Sequence, residues 1–136
     1  MRATVKWLDN VAFEGTAGSG HKVLMDGPPD AGGQDRGVRP MEMLLLGLGG
    51  CTAFDVVFIL QRGRHPVSDC VVEIEAARAE QAPKVFTRIH LHYKVSGEGL
   101  SEAAVKRAVE LSAEKYCSAS LMLAKAADLT HSYELV

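Results

Sequence analysis

The 136-residue sequence predicts an α+β fold, because strand patterns and helix patterns occupy separate stretches of the chain. Three short strand patterns come first, and a long, strongly apolar helical segment follows them. Two strands, two helices and a last strand complete the order βββ-α-ββ-αα-β. The chain contains no repeat, low-complexity tract or linker, so we expect a single domain over residues 1–136.

The first three strands are expected to form a β-meander. They cover Thr4–Leu8, Val11–Glu14 and His21–Met25, and the turn Asp9-Asn10 joins the first two. From Gly27 to Arg39 the chain is rich in Gly, Pro and Asp, which predicts a mobile surface loop. Pro40 then suits the first position of a helix, since its missing N–H needs no partner there.

The central helix is predicted from about Pro40 to Arg62, with Gly63 after its end. It is long enough for the roughly 20 residues that a bilayer requires, but it carries Glu42, Asp55 and internal glycines. We therefore interpret it as a buried helix of a soluble protein. Because it is apolar on nearly all sides, it must be covered on nearly all sides. The rest of the chain is too short for that, which indicates a partner subunit.

The second half of the chain returns to strands and then to two shorter helices. Strands are predicted at Val71–Arg78, Val85–Val95 and Leu129–Val136, and helices from Ser101 to about Glu114 and from Ser118 to about Ala127. The middle strand alternates cleanly, which predicts one core face and one wet face. The predicted core face carries Val85, Thr87, Ile89, Leu91, Tyr93 and Val95.

Charge and the N-terminus limit the classes of function. The net charge of −2 comes from 15 basic and 17 acidic residues that are evenly spread, so we expect neither a nucleic-acid partner nor a membrane surface. The N-terminal residues lack the apolar run of a signal peptide, which predicts a cytoplasmic protein. The three cysteines are an odd number in such a chain, so any disulfide is expected to be transient rather than structural.

Two of the cysteines have contexts that indicate chemistry. Cys51 follows Gly49 and Gly50 in the central helix; it is either an ordinary buried cysteine or a thiol whose surroundings the glycines leave open. Cys117 lies between two helices, where the N-terminus of the second would lower the pKa of its thiol; the alternative is a residue chosen for size. Cys70 heads a strand and is interpreted as a packing residue.

The sequence resembles the OsmC/Ohr family of organic hydroperoxide reductases, and most closely its YhfA-like branch. The resemblance covers essentially the whole chain. It depends on Pro40 to Leu45, Gly49-Gly50-Cys51 and Ala113 to Cys117, with further matches at Ser19-Gly20-His21, Leu24 to Gly27 and Thr130 to Glu134.

This resemblance implies an OsmC-like fold in which antiparallel sheets wrap around central helices in an intertwined homodimer, with active sites at the interface. It implies that Cys51 is the peroxidatic cysteine and Cys117 the resolving cysteine, through an intramolecular disulfide. The implied substrate is a small organic hydroperoxide and the implied reductant a dithiol such as a dihydrolipoyl group. The implied physiological role is the oxidative stress response, with no cofactor and no metal.

The residues around the expected thiol site depart from the family pattern. The family has a glutamate directly after the proline, where this chain has Met41, so Glu42 is the candidate carboxylate. On a straight helix, nine residues at about 100° each place Glu42 opposite Cys51, so it is either a site residue or a residue that favours the helix N-terminus. The family's arginine is absent from its usual turn, and Arg39, Arg36 or His21 are the candidate replacements.

Asp55 is also unusual, since it lies one helical turn after Cys51 on the same face. An unpaired carboxylate there would raise the pKa of the thiol, so Asp55 needs a cationic partner, or the site acts on something other than the usual peroxides. The proposed reductase therefore has a rival hypothesis, an OsmC-fold binding or redox-sensing protein with little or no peroxidase turnover. His90 and His92 have a spacing that binds zinc or copper, but we interpret them as polar residues on a wet strand face.

Overall fold

The computed structural model describes residues 1–136, and its elements follow the predicted order, which confirms the α+β class. The strands are β1 (Ala3–Asp9), β2 (Ala12–Ala17), β3 (Lys22–Asp26), β4 (Asp69–Arg78), β5 (Phe86–Ser96) and β6 (Asp128–Leu135). The helices are α1 (Pro40–Arg62), α2 (Glu102–Leu111) and α3 (Ser118–Leu123). A 3-10 turn covers Pro29–Ala31 and a π turn covers Ser112–Tyr116. The chain forms two compact units, Met1–Leu46 and Gly47–Val136.

The first unit contains an antiparallel sheet in the order β1-β2-β3. Asn10 occupies the turn between β1 and β2 with a φ of 43°, a left-handed conformation that asparagine tolerates. The indole of Trp7 donates a hydrogen bond to the Asn10 carbonyl at 3.0 Å. All residues of β1 are exposed, including Val5 and Trp7, so this edge strand carries apolar side chains that the chain itself does not cover.

The loop after β3 is fastened to the sheet, although it was expected to be mobile. Asp26 is 1% exposed, and its carboxylate accepts backbone N–H groups of Gln34 at 2.9 Å and Arg36 at 3.2 Å. The bond from Gln34 is the main reason why the pKa of Asp26 is lowered, against the opposing effect of burial. The backbone N–H of Asp26 also donates to the Val38 carbonyl at 3.0 Å. A single buried carboxylate therefore organises this glycine-rich loop.

The second unit contains a sheet in the order β4-β5-β6, in which β4 and β5 are antiparallel but β5 and β6 are parallel. The expectation of purely antiparallel sheets is wrong for β6. A parallel neighbour requires a crossover of about a dozen residues or more, and α2, the π turn and α3 supply it. The core face of this sheet includes the aligned residues Val72, Tyr93 and Tyr133.

A bulge changes the predicted faces at the start of β5. Arg78 pairs with Phe86 and Ala77 with Arg88, so Thr87 has no partner on β4. Phe86 consequently joins the core face, where it is 8% exposed, while Val85 is 52% exposed. The predicted core positions from Ile89 to Val95 are confirmed, and all four of their side chains are fully buried. Fully buried Leu48, Val56 and Leu60 of α1 and Val105, Ala108 and Val109 of α2 complete the core of this unit.

Helix α1 is less covered than its composition predicts. An 18-residue window of it has a mean hydropathy of 2.1, long and apolar enough to cross a membrane, and 22% of that window is buried. Leu46, Phe54 and Phe58 are 56%, 65% and 48% exposed. The expectation of a buried helix is therefore wrong for a single chain. The exposed side chains extend along the helix, as the argument for a partner subunit requires.

Helix α2 begins at the predicted cap and ends earlier than predicted. The Ser101 hydroxyl accepts the Ala104 N–H at 3.3 Å, which confirms Ser101 as the N-cap. Regular α-helix ends at Leu111, because the next residues widen into the π turn. Helix α3 is also shorter than expected and ends at Leu123. The π turn is the feature that determines where Cys117 lies.

Candidate active site at two facing thiols

Cys51 lies half-buried in α1, and the two preceding glycines have different roles. A Cβ atom on Gly49 would lie 2.9 Å from the Cδ1 atom of Ile74, so this glycine allows α1 to approach β4 closely. A Cβ atom on Gly50 would meet nothing within 4 Å. Gly49 is therefore explained by packing, whereas Gly50 leaves open space beside the Cys51 backbone.

Cys117 is positioned by the π turn that precedes it. Its backbone N–H donates to the Ser112 carbonyl at 2.9 Å, which closes the turn. Cys117 is then the N-cap of α3, and its sulfur accepts the backbone N–H of Ser120 at 3.4 Å. The predicted location at a helix N-terminus is thus confirmed. Its side chain is fully buried, in contrast to the half-buried Cys51.

The thiols of Cys51 and Cys117 face each other, and both are free. Burial raises the pKa of Cys117, although the side chain and N–H of Ser120 act in the opposite direction. The expectation that the helix N-terminus would lower this pKa is therefore wrong in sign, because burial outweighs the cap. The neighbouring Cys51 side chain raises the pKa of Cys117 further.

A chain of buried polar groups lies next to the two cysteines, and the sequence patterns did not single it out. The Thr52 hydroxyl is 2.6 Å from the Tyr93 hydroxyl and 2.7 Å from the Ser112 hydroxyl. Ser112 also lies 3.2 Å from a carboxylate oxygen of Asp55. Thr52, Tyr93 and Ser112 are all fully buried. The only signal in the sequence was the placement of two hydroxyl residues at apolar positions of their helices.

Tyr93 is the aromatic member of this chain. Burial raises the pKa of Tyr93 to about 12, while its hydrogen bond with Thr52 lowers it; the nearby Cys117, Cys70 and Asp55 raise it further. The phenol therefore stays protonated at neutral pH and keeps its capacity to donate.

Asp55 has a different partner from the one expected. Its carboxylate accepts the Ser112 hydroxyl and takes part in no salt bridge, so of the two alternatives for Asp55 the cationic partner is wrong, and a site that acts on other substrates stays a prediction. Asp55 also borders an apolar groove of about 480 Å³, which Phe54, Phe58, Ile59, Arg62, Leu111 and Tyr116 line with it. The Phe54 and Phe58 rings stack at 5.6 Å, and the Arg62 guanidinium lies over Phe58 at 5.6 Å.

Glu42 and Arg39 form a local structure at the start of α1. The Glu42 carboxylate accepts the backbone N–H of Arg39 at 2.8 Å, and the Arg39 carbonyl accepts the first helical N–H, from Met43, at 3.1 Å. Glu42 is thus the third helical residue, bonded back to the N-cap as in a capping box. The Arg39 guanidinium donates to the Gly37 carbonyl and to Asp35, each at 3.2 Å.

The two other candidate replacements for the family's arginine also have local partners. The Arg36 guanidinium is paired with Asp9, and the His21 ring lies 3.0 Å from the Ser19 hydroxyl. In the first unit, the interactions of all four polar candidates are therefore those of caps, turns and loop anchors.

Cys70 and the histidine pair lie elsewhere on the β4-β5-β6 sheet. Cys70 is half-buried at the head of β4, where burial and the neighbouring Asp69 raise the pKa of its thiol. His90 and His92 lie on the wet face and share the Ser132 hydroxyl, at 2.9 and 2.7 Å. His92 further bonds Glu134 at 3.1 Å, which extends this polar ladder across β5 and β6.

Comparison with known families and sequences gives consistent matches. Residues 32–132 match the family model described as OsmC-like protein. The curated protein YhfA of Escherichia coli strain K12 is 54% identical over 136 residues, which covers 100% of this chain and 98% of that protein.

Solved structures give the same fold. A hypothetical protein from Aquifex aeolicus VF5 superimposes with a TM-score of 0.87 at 30% identity, covering 99% of this chain and 95% of that one. The organic hydroperoxide resistance protein OhrB of Bacillus subtilis superimposes with a TM-score of 0.65 at 15% identity, covering 98% and 96%. At that identity the second similarity concerns the fold alone.

Proposed function

The chain belongs to the family of OsmC-like proteins, and from this membership and its facing thiols we propose that it reduces organic hydroperoxides, with Cys51 attacking and Cys117 resolving. The observation that carries the proposal is the proximity of two free thiols, with Cys51 half-buried in α1 and Cys117 fully buried at the start of α3. The half-buried Cys51 can be reached by a peroxide, whereas burial raises the pKa of Cys117 and keeps it a thiol. The two cysteines thus differ in the way that the two roles require.

The reaction divides into two steps. The Cys51 thiolate attacks the outer oxygen of a hydroperoxide, forms a sulfenic acid and releases an alkoxide that takes a proton to become the alcohol. The Cys117 sulfur then attacks the Cys51 sulfur, forms the disulfide and releases water, as the thiol proton and the hydroxyl combine. An external dithiol, such as a dihydrolipoyl group, supplies two electrons and two protons and restores both thiols.

We propose a homodimer as the working form. The exposed apolar side chains of α1 leave a surface that a monomer would present to solvent, and the intertwined homodimer that the family resemblance implies would cover this helix with the second subunit. We also propose a cytoplasmic location, where reducing conditions keep thiols free and dithiol reductants are available.

Glu42 and Arg39, the candidates for site polarity, have bonds that favour structural roles. Glu42 bonds the N-cap of α1, and Arg39 is engaged by Asp35 and Gly37. These bonds favour the second candidate function, an OsmC-fold binding or redox-sensing protein with little turnover. Such a protein would keep the thiol pair but lack free polar groups to orient the peroxide.

Stoichiometric oxidation of the reduced protein tests the proposal. Cumene hydroperoxide and then hydrogen peroxide are added while free thiols are counted and disulfides are mapped by peptide mass. We expect selective loss of Cys51 and Cys117 as one bridge, and faster reaction with the organic peroxide. Cys51→Ser should abolish the reaction, Cys117→Ser should stop at a trappable sulfenic acid, and the matched control Cys70→Ser should behave as wild type.

Catalytic turnover distinguishes the two candidate functions. With dihydrolipoamide as the reductant, a peroxidase consumes many equivalents of hydroperoxide per chain, whereas a sensor reacts once and remains oxidised. If the number of free thiols does not fall and no hydroperoxide is consumed, the peroxidase proposal is wrong and the binding protein is favoured.

A further inference from the structure

The two cysteines are connected through a buried hydrogen-bonded link. Thr52 directly follows Cys51 in α1, and its hydroxyl lies 2.7 Å from that of Ser112. The Ser112 carbonyl in turn accepts the Cys117 backbone N–H at 2.9 Å. The Ser112 hydroxyl oxygen also lies 3.3 Å from the Thr52 carbonyl oxygen. The neighbour of one thiol is thus bonded to the residue that holds the backbone of the other.

The acceptor at the end of this chain determines the direction of its hydrogen bonds. The Ser112 hydroxyl donates to a carboxylate oxygen of Asp55 at 3.2 Å. Ser112 then has no second proton for Thr52, and Thr52 must donate to it. Tyr93, which stays protonated, donates to Thr52. Each hydroxyl donates its one proton along the chain, so the arrangement is fully satisfied without water.

The hydrogen-bonded link between Thr52 and Ser112 can fix the relative position of the two thiols. Disulfide formation demands a sulfur–sulfur distance of about 2.05 Å and Cα atoms within about 7 Å, so small displacements of either backbone impede it. Helix α1 and the π turn come from parts of the chain 60 residues apart. Without a fixed contact their relative position would depend on apolar packing, which tolerates sliding better than a directional bond does.

We propose that Thr52 and Ser112 are positioning residues that hold Cys117 against Cys51 for disulfide closure, with Asp55 fixing the direction of their hydrogen bond. This inference rests on the proposed use of the two thiols. It concerns the second step alone, in which the sulfenic acid of Cys51 and the thiol of Cys117 give a disulfide and water. The first step, attack on the peroxide, needs only Cys51 and does not depend on the link.

The test measures the two steps separately in Thr52→Val and Ser112→Ala. Sulfenic acid formation is followed by trapping with dimedone in the Cys117→Ser background, and closure by the rate of disulfide formation with Cys117 present. Both variants should slow closure about tenfold or more, since small misplacements of reacting groups are costly, while sulfenic acid formation stays within about twofold. The equilibrium of the pair with dithiothreitol should shift toward the dithiol by about tenfold as well.

Four further variants make the result specific. Thr52→Ser keeps the hydroxyl and should restore closure. Tyr93→Phe removes the hydroxyl at the far end but leaves the Thr52–Ser112 bond, so its closure rate should stay within about threefold of wild type. Thr130→Val and Ser132→Ala are matched controls, because they delete hydroxyls from the polar ladder on the wet face of the same sheet.

The outcomes separate this inference from the proposed function. Closure and dithiothreitol equilibrium that are unchanged in Thr52→Val and Ser112→Ala would overturn it, as would equal loss in Thr130→Val. The wild type could fail to turn over hydroperoxide while diamide still forms the Cys51–Cys117 disulfide. That result would refute the proposed peroxidase function, and the dithiothreitol equilibrium would still test the positioning roles of Thr52 and Ser112. A wild type in which even diamide forms no such disulfide would overturn both.

Discussion

The backbone N–H of Ser120 donates a hydrogen bond to the sulfur of Cys117 at 3.4 Å, yet the pKa of that thiol is raised. Burial removes the water that would solvate a thiolate, and this loss exceeds the gain from the donors of Ser120. The Ser120 hydroxyl is buried and has no hydrogen bond of ordinary geometry, so its proton is free to turn toward the sulfur. In the reaction that we propose, Cys117 would therefore remain a thiol until Cys51 has been oxidised.

We expect Ser120→Ala to raise the pKa of Cys117 further, because the variant removes a group that lowers it. The pH dependence of alkylation by iodoacetamide measures this pKa in a Cys51→Ser, Cys70→Ser background, where Cys117 is the one remaining thiol. The alkylation profile should move to higher pH. Ser118→Ala, at an exposed position of the same helix, is the control. A profile that moves to lower pH would contradict the role assigned to the hydroxyl.

Glu42→Ala should lower the free energy of unfolding by about 0.5–1 kcal/mol, because it removes the acceptor of the Arg39 N–H at the start of α1. Glu42→Gln keeps an oxygen acceptor and should retain most of that stability. Urea denaturation measures both. If Glu42 acts as a cap, Glu42→Gln also keeps the rate of thiol oxidation. A loss of that rate by a hundredfold in a stable Glu42→Gln protein would instead indicate a carboxylate that acts on the peroxide.

Asp26 should make stability depend on pH. Its pKa is lowered in the folded state, first by the Gln34 N–H, so its contribution is present above the unfolded pKa, about 4, and is lost as pH falls through the folded value. Asp26→Asn should be less stable than wild type at pH 7, and the difference should shrink toward pH 3. Urea denaturation across this range measures it. If wild type and Asp26→Asn differ in the free energy of unfolding by the same amount at every pH, the charge of Asp26 does not contribute to stability.

Phe54→Glu should weaken or abolish the proposed dimer, because it places a charge on the exposed apolar side of α1, where Phe54 is 65% exposed in one chain. Sedimentation velocity over a range of protein concentrations measures the effect. We expect a dimer for wild type and a monomer, or a dissociation constant raised at least about tenfold, for the variant. Lys125→Glu, a charge change at an exposed residue after α3, is the control. A wild type that sediments as a monomer would refute the dimer.

Local patterns in the sequence were sufficient for the order of the elements. The apolar segment from Pro40 to Arg62 specified α1 with both of its ends, since proline at the first position and glycine after the last are local signals. Ser101 specified the start of α2 in the same way. The motifs that carry the family resemblance also single out Cys51 and Cys117 as the candidate thiols.

The tertiary structure decided how the residues of the site interact. It placed the Cys117 thiol against Cys51, and burial then reversed the expected direction of its pKa. It gave Asp55 a hydroxyl partner and joined Thr52 to Tyr93 and Ser112, which are 41 and 60 residues away in the chain. The residues of β6 likewise do not indicate that this strand pairs with β5 in parallel. The physical reason is common to all of these: periodicity and caps are encoded by near neighbours, whereas burial, pKa and hydrogen-bond direction depend on residues that only folding brings together.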